Sequence, residues 1–277
     1  FLAVYAIASV LWDLATLRAQ GTPRWWANLF PNGAAAFLTM VPTAILTYLI
    51  TWTGWFVSTD AWDRRWGTDN PATWTQSLPH PLTGAANALR GLWHYHAEAM
   101  NFHVGLTTPH SYEANPWSWL VMGRPTAFFY ETPAGCGARA CSQAVTALGN
   151  PVVWWGGTIA LAVLLFCWAL RRDWRAGAIL AGIAAGYLPW FTDPERTIIT
   201  FYAVAFTPGI VLALTYTLGL ILGPPQATPD RRFAGALWAG AILTLAVILF
   251  AYFYPVHAAE IIPTGSWRNR MWWSSWI

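Results

Sequence analysis

Six apolar stretches alternate with polar segments along the chain, and this pattern predicts an all-α integral membrane protein with about six transmembrane helices. A spanning helix needs about 20 apolar residues, with a range of roughly 17–25. Four stretches satisfy this length, the first is short and the fourth is marginal. Internal prolines such as Pro42 and Pro208 are tolerated because neighbouring groups satisfy the freed carbonyls. The stretches cover residues 1–12, 34–56, 151–170, 176–191, 197–222 and 233–255.

A long polar segment, residues 57–150, separates the second apolar stretch from the third, and we expect it to form a large extracytoplasmic loop. Residues 1–56 should contain two transmembrane helices, the first of them truncated at its start. Residues 151–277 should contain four more helices and an external C-terminal tail. Because Phe1 lies inside an apolar stretch, we also expect further sequence before it.

One part of the long loop has helical periodicity. Its apolar residues recur at spacings near three, four or seven over residues 88–106, which predicts an amphipathic helix. Such a helix suits the membrane surface. Prolines elsewhere in the loop predict irregular structure; they are Pro79, Pro81, Pro109, Pro116, Pro125 and Pro133.

The composition agrees with this interpretation. Hydrophobic residues make up 56% of the chain and charged residues only 10%, against about 25% charged in soluble domains. A soluble helix bundle is the alternative, but so few charges do not cover a surface that faces water. The 21 tryptophans are typical of membrane interfaces. A net charge of +3, with no run of basic residues, argues against nucleic acid as a partner.

Arginines concentrate in the short loops on one side of the predicted membrane region. The loops after the first, third and fifth stretches contain seven of them, whereas the loop after the fourth contains Arg196 beside Asp193 and Glu195. The excess of positive charge on cytoplasmic loops therefore places residues 57–150 and the C-terminal tail outside. The seven are Arg18, Arg24, Arg171, Arg172, Arg175, Arg231 and Arg232.

Two cysteines predict a disulfide. Cys136 and Cys141 lie in a turn rich in Gly and Ala on the predicted outer face, where disulfides persist. Two free thiols are the alternative. Cys167 lies within an apolar stretch and is expected to pack there.

A group of histidines suggests a metal site, but the spacing is unfavourable. His96 and His103 share one helix face, whereas His94 and Glu98 share another. The two pairs do not converge, and no spacing matches a zinc motif. We therefore predict no metal and no other cofactor. Hydrogen-bonding side chains, or binding of a sugar or phosphate, are the alternatives.

Residues 110–125, HSYEANPWSWLVMGRP, resemble the HxYxSxPWSWP signature of protein O-mannosyltransferases, which use polyprenyl-phosphate mannose. Ala114 and Leu120 depart from it, standing where the family often has Ser and Pro. Other segments resemble the family in the same order along the chain, and the ending resembles actinobacterial members. These segments are 93–96, 101–106, 147–155, 187–202 and 267–277.

This resemblance implies a polytopic helical bundle similar to the GT-C class of glycosyltransferases. It also implies transfer of mannose to Ser or Thr hydroxyls of exported proteins, at the outer face of the cell membrane. Partners would be polyprenyl-phosphate mannose, a Ser/Thr-rich exported polypeptide and membrane lipid. In this family the catalytic carboxylate lies in the first external loop, which is expected before Phe1. Glu113 is the alternative base in this chain.

Inverting transfer needs a general base and positive charge at the leaving phosphate. Arg196 is the first candidate for binding the donor phosphate, followed by Arg268 and Arg270, with helix anchoring at the headgroups as the alternative. The expected contacts to sugar or acceptor come from external aromatic, histidine and carboxylate side chains, for which a packed loop is the alternative. They are His96, Glu98, His103, His110, Tyr112, Glu113, Trp117 and Trp119.

Three other functions are compatible with such a chain. One is a related transferase that uses a polyprenyl-phosphate sugar but a glycan or lipid acceptor. Another is a transporter, although transporters place charged residues within their spans and the four complete stretches have none in their interiors. The third is a structural subunit. The loop signature favours protein mannosylation.

Overall fold

The computed structural model describes residues 2–192 and 195–277, so the expectations that fall on Phe1, Asp193 and Pro194 lie outside it. The chain folds into two compact units. One comprises Ala6–Thr107 with Leu2, here called the N-terminal unit. The other, the C-terminal unit, comprises Thr108–Ile277 with Ala3–Tyr5. Helices dominate both units, which confirms the predicted helical class.

The N-terminal unit contains two long apolar helices and one long amphipathic helix. Its elements are α1 (Leu2–Ala19) apart from Ala3–Tyr5, a 3-10 turn (Trp25–Asn28), α2 (Leu29–Thr51), α3 (Thr53–Val57), α4 (Trp66–Asp69), α5 (Thr73–Gln76) and α6 (His80–Val104). The predicted amphipathic helix is α6, which begins earlier than expected. Pro81 lies in its first turn, where a missing N–H costs nothing, so the expectation that Pro81 interrupts regular structure is wrong.

The C-terminal unit packs four helices against one another. After α7 (Pro116–Trp119) these are α8 (Pro151–Arg171), α9 (Trp174–Tyr187), α10 (Thr207–Leu222) and α11 (Pro229–His257). Helix α10 contacts the other three. Leu164, Ile210 and Ala213 are fully buried where these helices meet. The short helix α12 (Thr264–Arg268) and a 3-10 turn (Ser274–Trp276) end the chain.

Three helical segments of the described chain are long and apolar enough to cross a membrane: Trp25–Thr51, Pro151–Arg171 and Pro229–His257. Helix α9 has 14 residues and α10 has 16, which is short of a full span. The expected helix over residues 197–222 is wrong in its first part. Thr200–Ala205 form a 3-10 segment and α10 begins at Thr207. Pro208 therefore lies in the first turn, where its missing N–H breaks no helical hydrogen bond.

A small antiparallel sheet lies in the segment expected to be irregular. Strands β1 (Ala127–Glu131) and β2 (Cys141–Thr146) form a hairpin, and β3 (Ile262–Pro263) pairs with β2. The aromatic run Phe128–Tyr130 suits a strand. Pro125 and Pro133 stand outside β1 and β2, so the expectation of loop throughout residues 57–150 is wrong here.

The hairpin is closed by a disulfide and holds the C-terminal segment. Cys136 and Cys141 are bonded, with Cα atoms 5.8 Å apart. The Thr264 N–H donates to the Ala140 carbonyl at 3.0 Å, and the Thr264 and Ser142 hydroxyls lie 2.9 Å apart. The hairpin therefore anchors the chain that leaves α11.

The turn between α8 and α9 is an ordered cap. Asp173 Oδ1 accepts from the Arg175 N–H at 2.9 Å, which caps α9. The Arg175 guanidinium also donates to both carboxylate oxygens, at 3.0 and 2.8 Å. These contacts hold the pKa of Asp173 well below its usual range. One arginine of the predicted cytoplasmic side is thus engaged in structure.

Helix α8 packs closely on α10 at Gly157, which has no side chain. A Cβ at Gly157 would lie 2.7 Å from the Ile210 carbonyl oxygen and closer still to the Ile210 side chain. Backbone cannot move aside cheaply. Gly219 lies in α10, and a Cβ added there would meet nothing within 4 Å.

We expect Gly157→Ala to destabilise the protein by about 1–3 kcal/mol, the usual cost of overpacking a core. Gly219→Ala is the matched control and should be neutral or slightly stabilising, because alanine favours helix more than glycine does. Thermal unfolding in detergent measures both. Equal melting temperatures for the two variants would contradict the close packing of α8 on α10.

Candidate functional site

A cavity of about 260 Å³ opens in the C-terminal unit, between the segment that leads into α7 and the segment that follows α9. It contains one carboxylate, one guanidinium and three aromatic rings. The lining residues are Glu113, Asn115, Pro116, Trp117, Trp190, Phe191, Arg196 and Ile198. The structure thus brings together Glu113, Trp117 and Arg196, three of the predicted site residues.

Backbone hydrogen bonding joins the two segments. Glu113 and Ile199 form an isolated antiparallel bridge, and the Ala114 N–H donates to the Ile198 carbonyl at 2.9 Å. The hydroxyl of the buried Tyr187 donates to the Pro116 carbonyl at 2.9 Å. These bonds place parts of the chain that are distant in sequence around one cavity.

Arg196 is partly buried, with donors to spare. Its Cζ lies 5.5 Å from the Trp190 ring centroid and 5.4 Å from that of Tyr202, and these two rings stack on each other. One Nη is 3.5 Å from the Tyr202 hydroxyl. The Nε is buried and has no hydrogen-bond partner among the described residues. Because an unsatisfied buried donor costs about 1–3 kcal/mol, an anionic ligand here would be favoured.

Glu113 supplies the opposite charge in the same cavity. Its side chain is exposed, and the described residues offer it no ion-pair partner within 4.0 Å. Arg196 and Glu113 therefore face one space without neutralising each other. This arrangement suits a ligand that carries both an anionic group and hydroxyl groups.

Two aromatic rings form one wall of the cavity. Trp117 is 74% exposed and meets Phe191 edge to face, with centroids 4.8 Å apart. The Asn115 Oδ1 accepts from the Trp117 N–H at 3.1 Å and so fixes the start of α7. Exposed rings beside a few polar groups are typical of ligand pockets.

Trp119 has a different role from the one expected. It is fully buried, and its indole N–H donates to the Ala114 carbonyl at 2.9 Å. Its own carbonyl accepts from the indole N–H of Trp154 at 2.8 Å. Trp119 therefore cannot contact a ligand in the cavity; it packs beneath the loop that carries Glu113.

The two tail arginines differ from Arg196. The Arg270 guanidinium donates to the carbonyls of Tyr252 and Ser266, at 2.6 and 2.7 Å, and lies over the Tyr252 ring. It fastens the tail to α11, so the expectation that it binds phosphate is not supported. Arg268 is exposed, and its guanidinium has no hydrogen-bond partner among the residues described. Neither lines the cavity.

Residues 108–115, which lead into α7, are here called the site loop. His110 and Tyr112 lie in this loop but outside the cavity wall. The His110 Nδ1 accepts from the Tyr112 N–H at 3.1 Å. The Tyr112 ring lies under the guanidinium of Arg124, at 5.3 Å. A role for these two residues in binding stays a prediction.

The other predicted residues belong to the N-terminal unit. His96 bonds through Nε2 to the Tyr48 hydroxyl and through Nδ1 to the Leu92 carbonyl, so both ring nitrogens are engaged. Glu98 and His103 are exposed on α6. A role for these three residues in binding stays a prediction.

Sequence reasoning did not select Trp190 or Phe191 as site residues. Both follow Pro189, which ends α9 and turns the chain into a 3-10 segment, Leu188–Phe191. A proline followed by two aromatic residues at a predicted membrane boundary was the available signal. Only the packed structure places them beside Arg196.

A second, larger groove lies in the same unit. It measures about 580 Å³ and its surface is mostly apolar. Phe201 and Val204 line it, together with Thr200. These residues closely follow Ile198, which lines the smaller cavity. The groove also contains Met122, Phe128, Leu148, Val153, Trp154 and His257.

Comparison with known proteins assigns the chain to a family of membrane glycosyltransferases. Residues 88–276 match the family described as the C-terminal four TMM region of protein-O-mannosyltransferase. The chain belongs to this family, as the signature residues predicted.

Curated relatives agree over the whole chain. The polyprenol-phosphate-mannose–protein mannosyltransferase of Mycobacterium tuberculosis is 33% identical over 287 residues, which cover 100% of this chain and 53% of the relative. The enzyme of that name from Corynebacterium glutamicum is 30% identical and is covered to 54%. The chain therefore spans about half the length of the curated relatives it matches.

A solved structure shares the fold. The protein O-mannosyltransferase Pmt1–Pmt2 complex of S. cerevisiae, bound to the sugar donor, matches with a TM-score of 0.53 and 21% identity. The match covers 68% of this chain and 27% of the yeast chain. It supports the helical membrane architecture predicted from the apolar stretches.

Substitution of Trp119 and of Trp117 should change the stability of the protein by very different amounts. We expect Trp119→Ala to destabilise the protein by about 3–5 kcal/mol, because it empties a filled core position. Trp117→Ala should change stability by less than about 0.5 kcal/mol, as surface substitutions usually do. Thermal unfolding in detergent compares them. A destabilised Trp117 variant beside an unaffected Trp119 variant would overturn their assignment to cavity wall and core.

Proposed function

We propose that the C-terminal unit binds the donor in an enzyme that transfers mannose from polyprenyl-phosphate mannose to Ser or Thr hydroxyls of exported proteins. The reaction takes place at the outer face of the cell membrane. One observation carries the proposal: Arg196, whose buried Nε has no hydrogen-bond partner among the described residues, shares a cavity with Glu113, whose carboxylate forms no ion pair with them. Membership of the mannosyltransferase family and the names of the relatives support it.

Arg196 binds the phosphate of the donor. A guanidinium presents planar donors that match phosphate oxygens in pairs, and here Trp190 and Tyr202 hold its plane. When the glycosyl bond breaks, negative charge grows on the leaving polyprenyl phosphate. A fixed cation at that position stabilises the transition state more than the ground state.

The remaining parts of the donor fit neighbouring surfaces. Trp117 and Phe191 offer apolar ring faces and edges to the C–H side of a mannose ring. The apolar groove along Phe201 and Val204 suits an isoprenoid chain, since burying apolar surface yields about 25 cal/mol per Å². The segment from Arg196 to Val204 would thus follow the donor from phosphate to lipid.

The transfer forms a bond between the acceptor hydroxyl oxygen and the anomeric carbon while the bond from that carbon to the phosphate oxygen breaks. The hydroxyl proton passes to a carboxylate. The family resemblance assigns this base to another external loop, in which case Glu113 orients the acceptor hydroxyl. If no such carboxylate serves, Glu113 accepts the proton itself.

The test measures mannose transfer in membranes that contain the full-length protein. Radiolabelled polyprenyl-phosphate mannose and a Ser/Thr-rich peptide are supplied. We expect Arg196→Ala to lower kcat/KM about ten- to a hundredfold, the effect of losing one or two hydrogen bonds to a charged group. Arg196→Lys should recover part of this loss, because it keeps the charge without the planar fork.

Matched controls carry the same chemical change outside the cavity. Arg139→Ala removes an exposed arginine of the β1–β2 turn, and Glu131→Gln neutralises an exposed carboxylate at the end of β1; neither should alter transfer. Glu113→Gln separates two roles: a residual rate independent of pH indicates loss of the base, whereas an increased KM for peptide indicates loss of acceptor binding.

Other outcomes identify the rival functions. Label that appears in lipid or glycan, and not in peptide, would replace the protein acceptor by another class. Wild-type membranes that transfer no mannose to any acceptor would refute the proposal. Full activity of Arg196→Ala would leave the enzyme class standing and remove Arg196 from the phosphate site.

A further inference from the structure

Arg124 connects the site loop to the C-terminal tail. Its Nε and one Nη donate to the Ser111 carbonyl at 2.8 and 2.6 Å, and the other Nη donates to the Ser275 carbonyl at 2.9 Å. The guanidinium also lies over the Tyr112 ring. One side chain is thus hydrogen-bonded to two segments that are far apart in sequence.

The surrounding backbone is fastened in the same way. The Ser275 hydroxyl donates to the Gly123 carbonyl, and the Trp276 indole N–H donates to the Met122 carbonyl at 2.7 Å. The Thr200 hydroxyl donates to the carbonyl of Arg124 itself. The backbone from which the Arg124 side chain projects is therefore rigid. A residue that orients others requires such a backbone.

The contacts of Arg124 determine where Glu113 can lie. Ser111 stands two residues before Glu113, and the Ala114–Ile198 hydrogen bond follows it by one residue. The carboxylate is exposed and makes no ion pair with a described residue, so its own side chain does not hold it in place. The hydrogen bonds from Arg124 to Ser111 restrain the backbone before Glu113, and the hydrogen bond of Ala114 restrains it after Glu113.

Arginine suits this position better than lysine. Its planar guanidinium donates two hydrogen bonds to the Ser111 carbonyl and a third to the Ser275 carbonyl. The face of the same group lies over the Tyr112 ring. A lysine ammonium is a compact charge that cannot span Ser111 and Ser275 while stacking on Tyr112. The cavity lining does not include Arg124, so any effect on a ligand passes through the loop.

We infer that Arg124 is a positioning residue, which holds residues 111–113 so that the Glu113 carboxylate faces Arg196 across the cavity. Its kinetic consequence rests on the proposed transferase function, whereas its structural consequence does not. Misplacing a group that acts during the chemical step lowers kcat more than it raises KM.

The structural consequence is tested first by hydrogen–deuterium exchange of the full-length protein in detergent. Replacing Arg124 by Lys should speed exchange of the amides in residues 111–114 about tenfold or more, as expected when hydrogen bonds to a charged group are lost. Arg139→Lys is the control, because that arginine is exposed in the β1–β2 turn. Unchanged exchange in Arg124→Lys would overturn the inference whether or not the protein transfers mannose.

The kinetic consequence is tested by a double-mutant cycle of Arg124→Lys with Glu113→Gln, with rates expressed per folded protein. We expect Arg124→Lys alone to lower kcat about tenfold with KM for the donor changed less than threefold, the pattern of a lost transition-state interaction. In the Glu113→Gln background the same change should cost less than threefold, because residues that act as a unit are not additive.

The outcomes separate positioning from mere stability. A lower melting temperature or yield with unchanged kcat per folded protein would make Arg124 structural only. Multiplicative effects in the cycle would show that it does not act through Glu113. Faster exchange in Arg124→Lys, found together with a wild-type protein that transfers no mannose, would keep the positioning role and reject the proposed function.

Discussion

The candidate site depends on one short backbone pairing, in which Ala114 donates to Ile198 and Glu113 faces Ile199. This bridge joins the loop before α7 to the chain after α9. Without it, the carboxylate and the Arg196 guanidinium would belong to unrelated parts of the C-terminal unit. A single bridge is weak by itself, since one hydrogen bond contributes about 0.5–1.5 kcal/mol. The packing beneath it must therefore supply the rigidity.

Indole groups supply much of that packing. Trp119 donates to Ala114, Trp154 to Trp119 and Trp276 to Met122, so three buried rings also satisfy loop carbonyls. A buried carbonyl left without a donor costs about 1–3 kcal/mol. Tryptophan fills a large volume and provides one donor at its edge. Part of the abundance of this residue thus serves the irregular backbone around the site.

The arginines of the C-terminal unit differ in whether their guanidinium donors find hydrogen-bond partners within the protein. Arg124, Arg175 and Arg270 direct their donors to carbonyls or a carboxylate within the fold. Arg196 keeps a buried donor without a partner in the described chain. Proteins pair nearly all buried polar groups, so an exception inside a cavity points to a ligand. This contrast, and not the number of arginines, singles out Arg196.

The sequence by itself determined the helical membrane class, the amphipathic helix α6 and the family, because apolar periodicity and signature residues act locally. It did not determine that Pro208 would begin α10, or that residues 127–146 would form a hairpin, since strand pairing depends on distant partners. Trp117 and Trp119 show the limit most clearly. They stand two residues apart in one motif, yet one is 74% exposed and the other fully buried. Only the tertiary structure decides this, because burial depends on which helices pack against each ring.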